Sequence, residues 1–347
     1  STDVMDPAKL KFAQEYYVID NVTAKLVEIG AGDGYRNDLA EEVKFSDDKL
    51  EIDITLKGAV FSDGTPITAS DVAMSFKRAF IKGTPHANIK DLWVGSDKLK
   101  SIDQDIEGIK VVSPKKLKLK LTHPTKEILF FMTLVDLAVL HKSQYTKNEI
   151  QLSDWEGVTS GAYRVSYTPE GTLKLVANKK TNNYKKDIPQ EVTFESYKGD
   201  NVIRRLKDQS LDFGVITFTD YLNHMNTIES VKGFDIVSNK TDGIVHITLN
   251  EKSKLFGKLE NRQWVQKKIL DSYSIDKKID SVASKANQFF LPNAKGHITD
   301  SDINKVLAHV DASKVPNDLK NGFTIRTVEG MKYYMPSNFS AKLSEVL

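Results

Sequence analysis

From Lys116 to Leu121 apolar and charged residues alternate one for one, the period of two required by a strand with one wet and one buried face. Leu117, Leu119 and Leu121 are expected to point inward. The same alternation runs from Leu50 to Leu56, where Ile52, Ile54 and Leu56 are separated by Asp53 and Thr55, and again from Thr172 to Val176. Strands with one polar face predict antiparallel pairing. The apolar run from Ile128 to Leu140, broken by Thr133 and Asp136, is shorter than the ~20 residues that span a bilayer and reads as a buried element.

Helical periodicity lies between these strands. Phe61-Ser62-Asp63-Gly64-Thr65-Pro66 is a turn by its Asp-Gly and Pro content, and Thr68 with Asp71 has the spacing of a capping box. A helix from Ser70 to Phe80 follows, with Val72, Phe76, Ala79 and Phe80 as its buried stripe. A second helix is expected from Asp200, burying Val202, Ile203 and Leu206. A third is expected over Asn261 to Val282, with Trp264, Val265, Ile269 and Tyr273 on its apolar side. Hairpin-like stretches among βα units predict a mixed α/β class with more than one lobe, joined by short crossover strands.

The composition of the 347 residues, 40% hydrophobic and 28% charged, is that of a packed globular chain, and its length suggests about two or three domains. The 49 Lys+Arg and 47 Asp+Glu leave a formal charge of +2, and seven of the basic residues are Arg, a balance that argues against nucleic acid as a partner. The lysine runs 115–120 and 179–186 read as a solvated strand face and an exposed loop. The absence of cysteine removes disulfides, thiolate metal sites and cysteine nucleophiles. Residues 1–7 lack the pattern of a signal peptide, so any leader is expected to have been removed.

The catalytic inventory is thin. No two of the seven histidines lie three or four apart as in a helical metal site, and there is no G-x-S-x-G, S-x-x-K, P-loop or G-x-G-x-x-G. Gly30-Ala31-Gly32-Asp33-Gly34 has neither phosphate-loop spacing and reads as a turn. The expectation is no catalytic residue, no metal and no cofactor. Paired carboxylates of a hydrolase stay open as a lesser alternative.

The most specific segment is Val60-Phe61-Ser62-Asp63-Gly64-Thr65-Pro66-Ile67-Thr68-Ala69-Ser70-Asp71-Val72, with Ser75-Phe76-Lys77-Arg78 after it. It resembles the signature of the family 5 extracellular solute-binding proteins of ABC transporters: a strand, F-x-D-G-x-P-x-T-A-x-D-V, then a helix with S-x-x-R. Further stretches resemble the family in the family's order. Met5-Asp6-Pro7 is similar to L-D-P, Leu39-Ala40-Glu41 to L-A-E, and Gly161-Ala162-Tyr163 to its G-P/A-Y block. Ile203 to Asp212 is similar to a helix ending in L-x-x-G-x-x-D, with Ser210 taken as standing where Gly is common. Leu249-Asn250 and the helix after it match only loosely, without the family's Pro and Asp.

The resemblance implies an α/β, periplasmic-binding-protein-like fold of type II, two lobes around a cleft, with mixed sheets and an inserted subdomain. Residues 1–20 with 153–240 would form the first lobe core, 21–152 the insertion, and 241–347 a partial second lobe. It also implies a chain about a third shorter than the family, either a truncated or processed piece that a C-terminal segment would complete or a member with a reduced second lobe, and the residue holding a peptide amine would lie in the absent part. Ligand-lining positions carried over are Lys11, Ala13, His86, Asn88, Trp93, Thr217, Thr219, Thr241, Gly243 and Val245. For His86 a partly buried loop position, and for Trp93 a core position, is the competing assignment. Tyr163 is expected in the core. The implied function is capture of a peptide-like or other small polar solute by lobe closure and delivery to a membrane permease. The protein would be a monomer in the periplasm or outside the cell, anchored through a removed N-terminal segment if at all. A non-transport descendant acting as a signalling or protein-interaction module is the alternative.

Overall fold

The computed structural model describes residues 4–11, 13–30, 34–84, 86–125, 127–195, 200–216, 218–237, 244–274, 284–286, 288–290, 296–326 and 339–347. They fall into two compact units, Ser1–Glu195 and Ser196–Leu347. The first unit opens with a 3-10 turn (Pro7–Lys9), helix α1 (Ala13–Val22) and an antiparallel hairpin of β1 (Val27–Ile29) and β2 (Tyr35–Asn37). The Gly30 N–H donates to Gly34 O at 2.8 Å across that hairpin. Residues 31–33 of the glycine-rich stretch lie outside the described residues.

Next come β3 (Ala40–Phe45), β4 (Glu51–Leu56), helix α2 (Ala69–Lys82), β5 (Ile109–Ser113) and β6 (Lys116–Lys120). The four strands form an antiparallel sheet in the order β3-β4-β6-β5. Ile52 faces Leu119 and Ile54 faces Leu117, all fully buried, so the two alternating segments supply one apolar face as expected. On the other face Lys118 sits 3.3 Å from Glu51 and 3.5 Å from Asp53, which makes the first lysine run a solvated strand face.

Helix α2 packs on β5 and β6 and buries Val72, Phe76, Ala79 and Phe80. Its start is the expected capping box: Asp71 N–H donates to Thr68 Oγ1 at 3.4 Å, and Thr68 N–H to Asp71 Oδ2 at 2.9 Å. The run 128–140 folds as α3 (Ile128–Phe131) and a 3-10 turn (Val135–Leu137), then Val139 bridges to Ala24.

A second core in this unit gathers Val18, Ile19 and Val22 of α1 with Ile150, Trp155 and an antiparallel sheet of β7 (Tyr163–Tyr167), β8 (Leu173–Ala177) and β9 (Glu191–Thr193); α4 (Lys142–Tyr145) precedes it in the chain. Tyr163 belongs to this core. Gly161 sets how closely the sheet approaches α1. A Cβ there would lie 2.5 Å from Asn21 O, Val22 C and Thr23 N, so only glycine fits.

The second unit contains α5 (Asp200–Lys207), α6 (Phe218–Glu229), α7 (Leu259–Ser272), α8 (Asp300–Leu307) and α9 (Phe339–Val346), and among the described residues it has no strand. Helix α5 packs on α6 and buries Ile203 and Leu206, while Val202 is half-buried. Helix α7 buries Trp264 and Val265 against Leu319 and ends at Ser272; most of its expected continuation, 275–282, lies outside the described residues.

Two positions take their local structure from their neighbours. Thr219, one of the ligand-lining positions carried over from the resemblance, lies in helix α6, where Leu222, Met225 and Ile228 recur at helical spacing. The left-handed residue after α5 is Gln209, not Ser210: Gln209 has φ 52° and donates to Leu206 O at 3.1 Å, while Ser210 donates to Arg205 O at 2.9 Å. That pair of bonds is a Schellman motif, which puts the position favouring glycine at Gln209.

Candidate functional site

The motifs that carry the resemblance converge on a buried ion pair. Arg78, on the inner face of α2, donates Nη1 to Asp6 Oδ1 at 2.8 Å and Nη2 to Asp6 Oδ2 at 2.5 Å. The N–H groups of Ala8 and Ile150 donate to the same carboxylate at 3.1 and 3.2 Å. Both side chains are almost wholly inaccessible, 0% for Asp6 and 3% for Arg78. Burial is the largest influence on Asp6 and acts to raise its pKa. The guanidinium's hydrogen bonds and charge, with the two backbone donors, outweigh it and bring the pKa below the usual carboxylate value. The pair ties the start of the chain to α2 and to residue 150. Asp63 accepts from Thr65 N and Oγ1 at 2.9 and 2.7 Å, and Gly64 takes φ 93°. The signature block is therefore a framework element.

A second polar cluster is less complete. Asp136 lies between buried Val135 and Leu137 in the 3-10 turn against which α1 and α2 pack. Its side chain is 0% exposed. Its Oδ1 lies 3.3 Å from Nδ1 of His86, whose side chain is 40% exposed, and among the described residues its Oδ2 has no hydrogen-bond partner. Nδ1 is the imidazole nitrogen that faces the carboxyl group. Tyr16 of α1 is close enough to feel this charge. Burial first, then the charges of Asp136 and Glu15, push its phenol pKa up. Glu15 in turn accepts from Lys11 N–H at 2.6 Å at the start of α1.

Lys11 is exposed, and Ala13 opens α1. His86 is the residue before the 3-10 turn Ala87–Leu92, which contains Asn88. Of these positions the structure sets His86 beside Asp136, while the Lys11 N–H donates to Glu15. Trp93 sits in the core at 1% exposure, with its ring 5.9 Å from Phe76 and 5.7 Å from Phe80. Val245 is exposed in an irregular segment. Thr217, Thr241 and Gly243 lie outside the described residues. Asp136 and Tyr16 were missed. The available signal was a lone carboxylate in the apolar run 128–140, with nothing local to name its partner. Elsewhere in the first unit Arg78, Lys82, Lys100, Tyr145 and Lys147 line a shallow basic depression. Arg78 is already committed to Asp6 and Lys147 to Asp154.

A family model for bacterial extracellular solute-binding proteins, family 5 (middle), matches residues 34–338. No curated protein matches the sequence. Among solved structures the chain is similar to OppA of Listeria monocytogenes bound to peptide, with 18% identity, TM-score 0.54, and coverage of 64% of this chain and 46% of that one. It is also similar to NikZ from Campylobacter jejuni in complex with Ni(L-His), with 20% identity, TM-score 0.60, and coverage of 80% and 52%. A third is MppA, a periplasmic murein tripeptide-binding protein in its unliganded open form, with 18% identity, TM-score 0.66, and coverage of 100% and 70%. The chain thus spans about half the length of the first two. At these identities the likeness is one of fold, the mixed α/β fold of type II periplasmic binding proteins. The match across residues 34–338 establishes that the chain belongs to the bacterial extracellular solute-binding proteins of family 5.

Proposed function

We propose that the chain is the substrate-binding component of an ABC importer, holding a peptide-like or other small polar solute outside the cytoplasm and passing it to a membrane permease. The observation that carries this reading is the family match over residues 34–338. OppA bound to peptide, NikZ with Ni(L-His) and the murein tripeptide-binding MppA support a small solute as the ligand class. In this reading Lys11, Ala13, His86 and Asn88 contribute to the ligand site from the first unit. Thr217, Thr219, Thr241, Gly243 and Val245 are the ligand-binding positions proposed in the second unit. Trp93, from its core position, supports the loop that carries His86. The lobe assignment, residues 1–20 with 153–240 around the insertion 21–152 and 241–347 as a partial second lobe, belongs to the same reading.

Capture requires no covalent step. A solute that binds one conformation better than another shifts the equilibrium toward it, and a permease that recognises that conformation reads the loaded state. The test is thermal unfolding of the full chain against a panel of tripeptides to pentapeptides, sugars and metal chelates. A ligand at 100 times its Kd adds about 2.7 kcal/mol, so at least one class is expected to raise the Tm in a concentration-dependent way. The competing reading is a protein-interaction module without transport. A silent panel together with stoichiometric capture of one protein would select it.

A further inference from the structure

Of the two lysine-rich stretches in the first unit, the one on β6 is matched by carboxylates: Lys118 faces Glu51 and Asp53, and Lys120 pairs with Glu107. The connection between β8 and β9 is not. Lys179, Lys180, Lys185 and Lys186 are all exposed, and among the described residues none of their ammonium groups has an ion-pair or hydrogen-bond partner. Asp187 is the single carboxylate between Asn178 and Gln190, in a chain whose formal charge is +2, so the positive excess is concentrated in this loop. The loop is also held in place. Asn178 and Thr181 are buried in it, and the Asn178 N–H donates to Ala162 O at 2.7 Å. Thr181 Oγ1 donates to Gly161 O at 2.9 Å, and the Tyr184 N–H donates to Thr181 O at 3.2 Å. Across its base the Ala177 N–H donates to Gln190 O at 2.8 Å. Four unmatched charges therefore stand on a segment fastened to the close contact between Gly161 and α1, and little ordering is left to do when a partner arrives.

We propose that the β8–β9 loop is a peripheral contact for an anionic lipid bilayer. Lysine ammonium groups are hydrated point charges without the planar fork that selects a particular carboxylate or phosphate, so an exposed group of them suits an extended anionic surface. For a bacterial extracellular protein that surface is the outer face of a membrane. Tyr184, half-buried between the two lysine pairs, is a residue type favoured at the level of the lipid headgroups. The contact is independent of which solute the chain holds. Each lysine brought to an anionic bilayer strengthens attachment by about fivefold.

Co-sedimentation of the full chain with vesicles of mixed phosphatidylcholine and phosphatidylglycerol tests this. The chain is expected to sediment with them at about 10 mM salt and to be released as salt rises to about 150 mM, where the screening length falls from about 30 to about 8 Å. Vesicles of phosphatidylcholine alone should leave it in solution. Replacing Lys179 and Lys180 by Gln, or Lys185 and Lys186, should lower the partition coefficient by about tenfold or more, and replacing all four by about a hundredfold or more. The Tm should not move, because the side chains are exposed. Lys115→Gln with Lys116→Gln removes the same charge from the other lysine run and should change partitioning by no more than about twofold. An equal loss in that control would assign the attraction to the charge of the whole chain and overturn the loop's role. Equal sedimentation with neutral vesicles, or none with anionic ones, overturns the proposal outright. So does polyglutamate binding that depends on the four lysines while anionic vesicles stay bare, which would make the partner an acidic protein.

Discussion

Asp6 and Arg78 stand 72 residues apart in sequence and satisfy each other in the interior. Removing one partner strands the other as a buried charge, so Asp6→Ala is expected to cost about 3–5 kcal/mol, read as a fall in the denaturant midpoint. The pair also sets a pH dependence. Asp6 has a folded pKa below its ordinary 3.8, so its contribution to stability is fully present above pH 3.8 and is lost as the pH falls through the folded value. Stability followed from pH 6 downward should fall in the acid range, and the portion due to Asp6 should be missing in an Asp6→Asn variant. A parent and variant with the same acid profile would remove the pair from this account. Arg78 was legible in the sequence as part of S-x-x-R, and Asp6 as part of the D-P pair. That the two meet was not legible, because a contact over 72 residues leaves no local periodicity.

At the scale of elements, the end of α5 carries a residue the backbone disfavours. Gln209 takes the left-handed position of a Schellman motif, where glycine has no Cβ to clash. Gln209→Gly should therefore stabilise the chain by up to about 1 kcal/mol, measured as a rise in midpoint with unchanged slope. A loss of stability would mean that the cost of glycine's freedom in the unfolded chain exceeds the relief. Local signals such as this one, the Thr68–Asp71 box, and the alternation at 50–56, 116–121 and 172–176 are fixed by neighbours a few residues away, and all could be read from the sequence. Sheet order could not. Strand β6 inserts between β4 and β5, an arrangement set by which apolar faces meet and not by any single segment. The site was half legible for the same reason. His86 was singled out through its place in the family pattern, but its partner Asp136, 50 residues on, was visible only as an interruption in an apolar run. The indole of Trp93, which reads equally as core or as ligand platform, is resolved only by the rings around it.

For the whole molecule, the segments that define the family build the frame of the first unit, and the polar cluster beside α1 is what that frame leaves unsatisfied. A chain of this family with a thin catalytic inventory is expected to act by holding a solute. Native mass spectrometry of the full chain mixed with a defined pool of tripeptides to pentapeptides tests this most directly. The account predicts a complex of one peptide per chain, enriched from the pool in a subset of its sequences. A chain that flies bare in the presence of peptides, and of the sugars and metal chelates of the same panel, would contradict it.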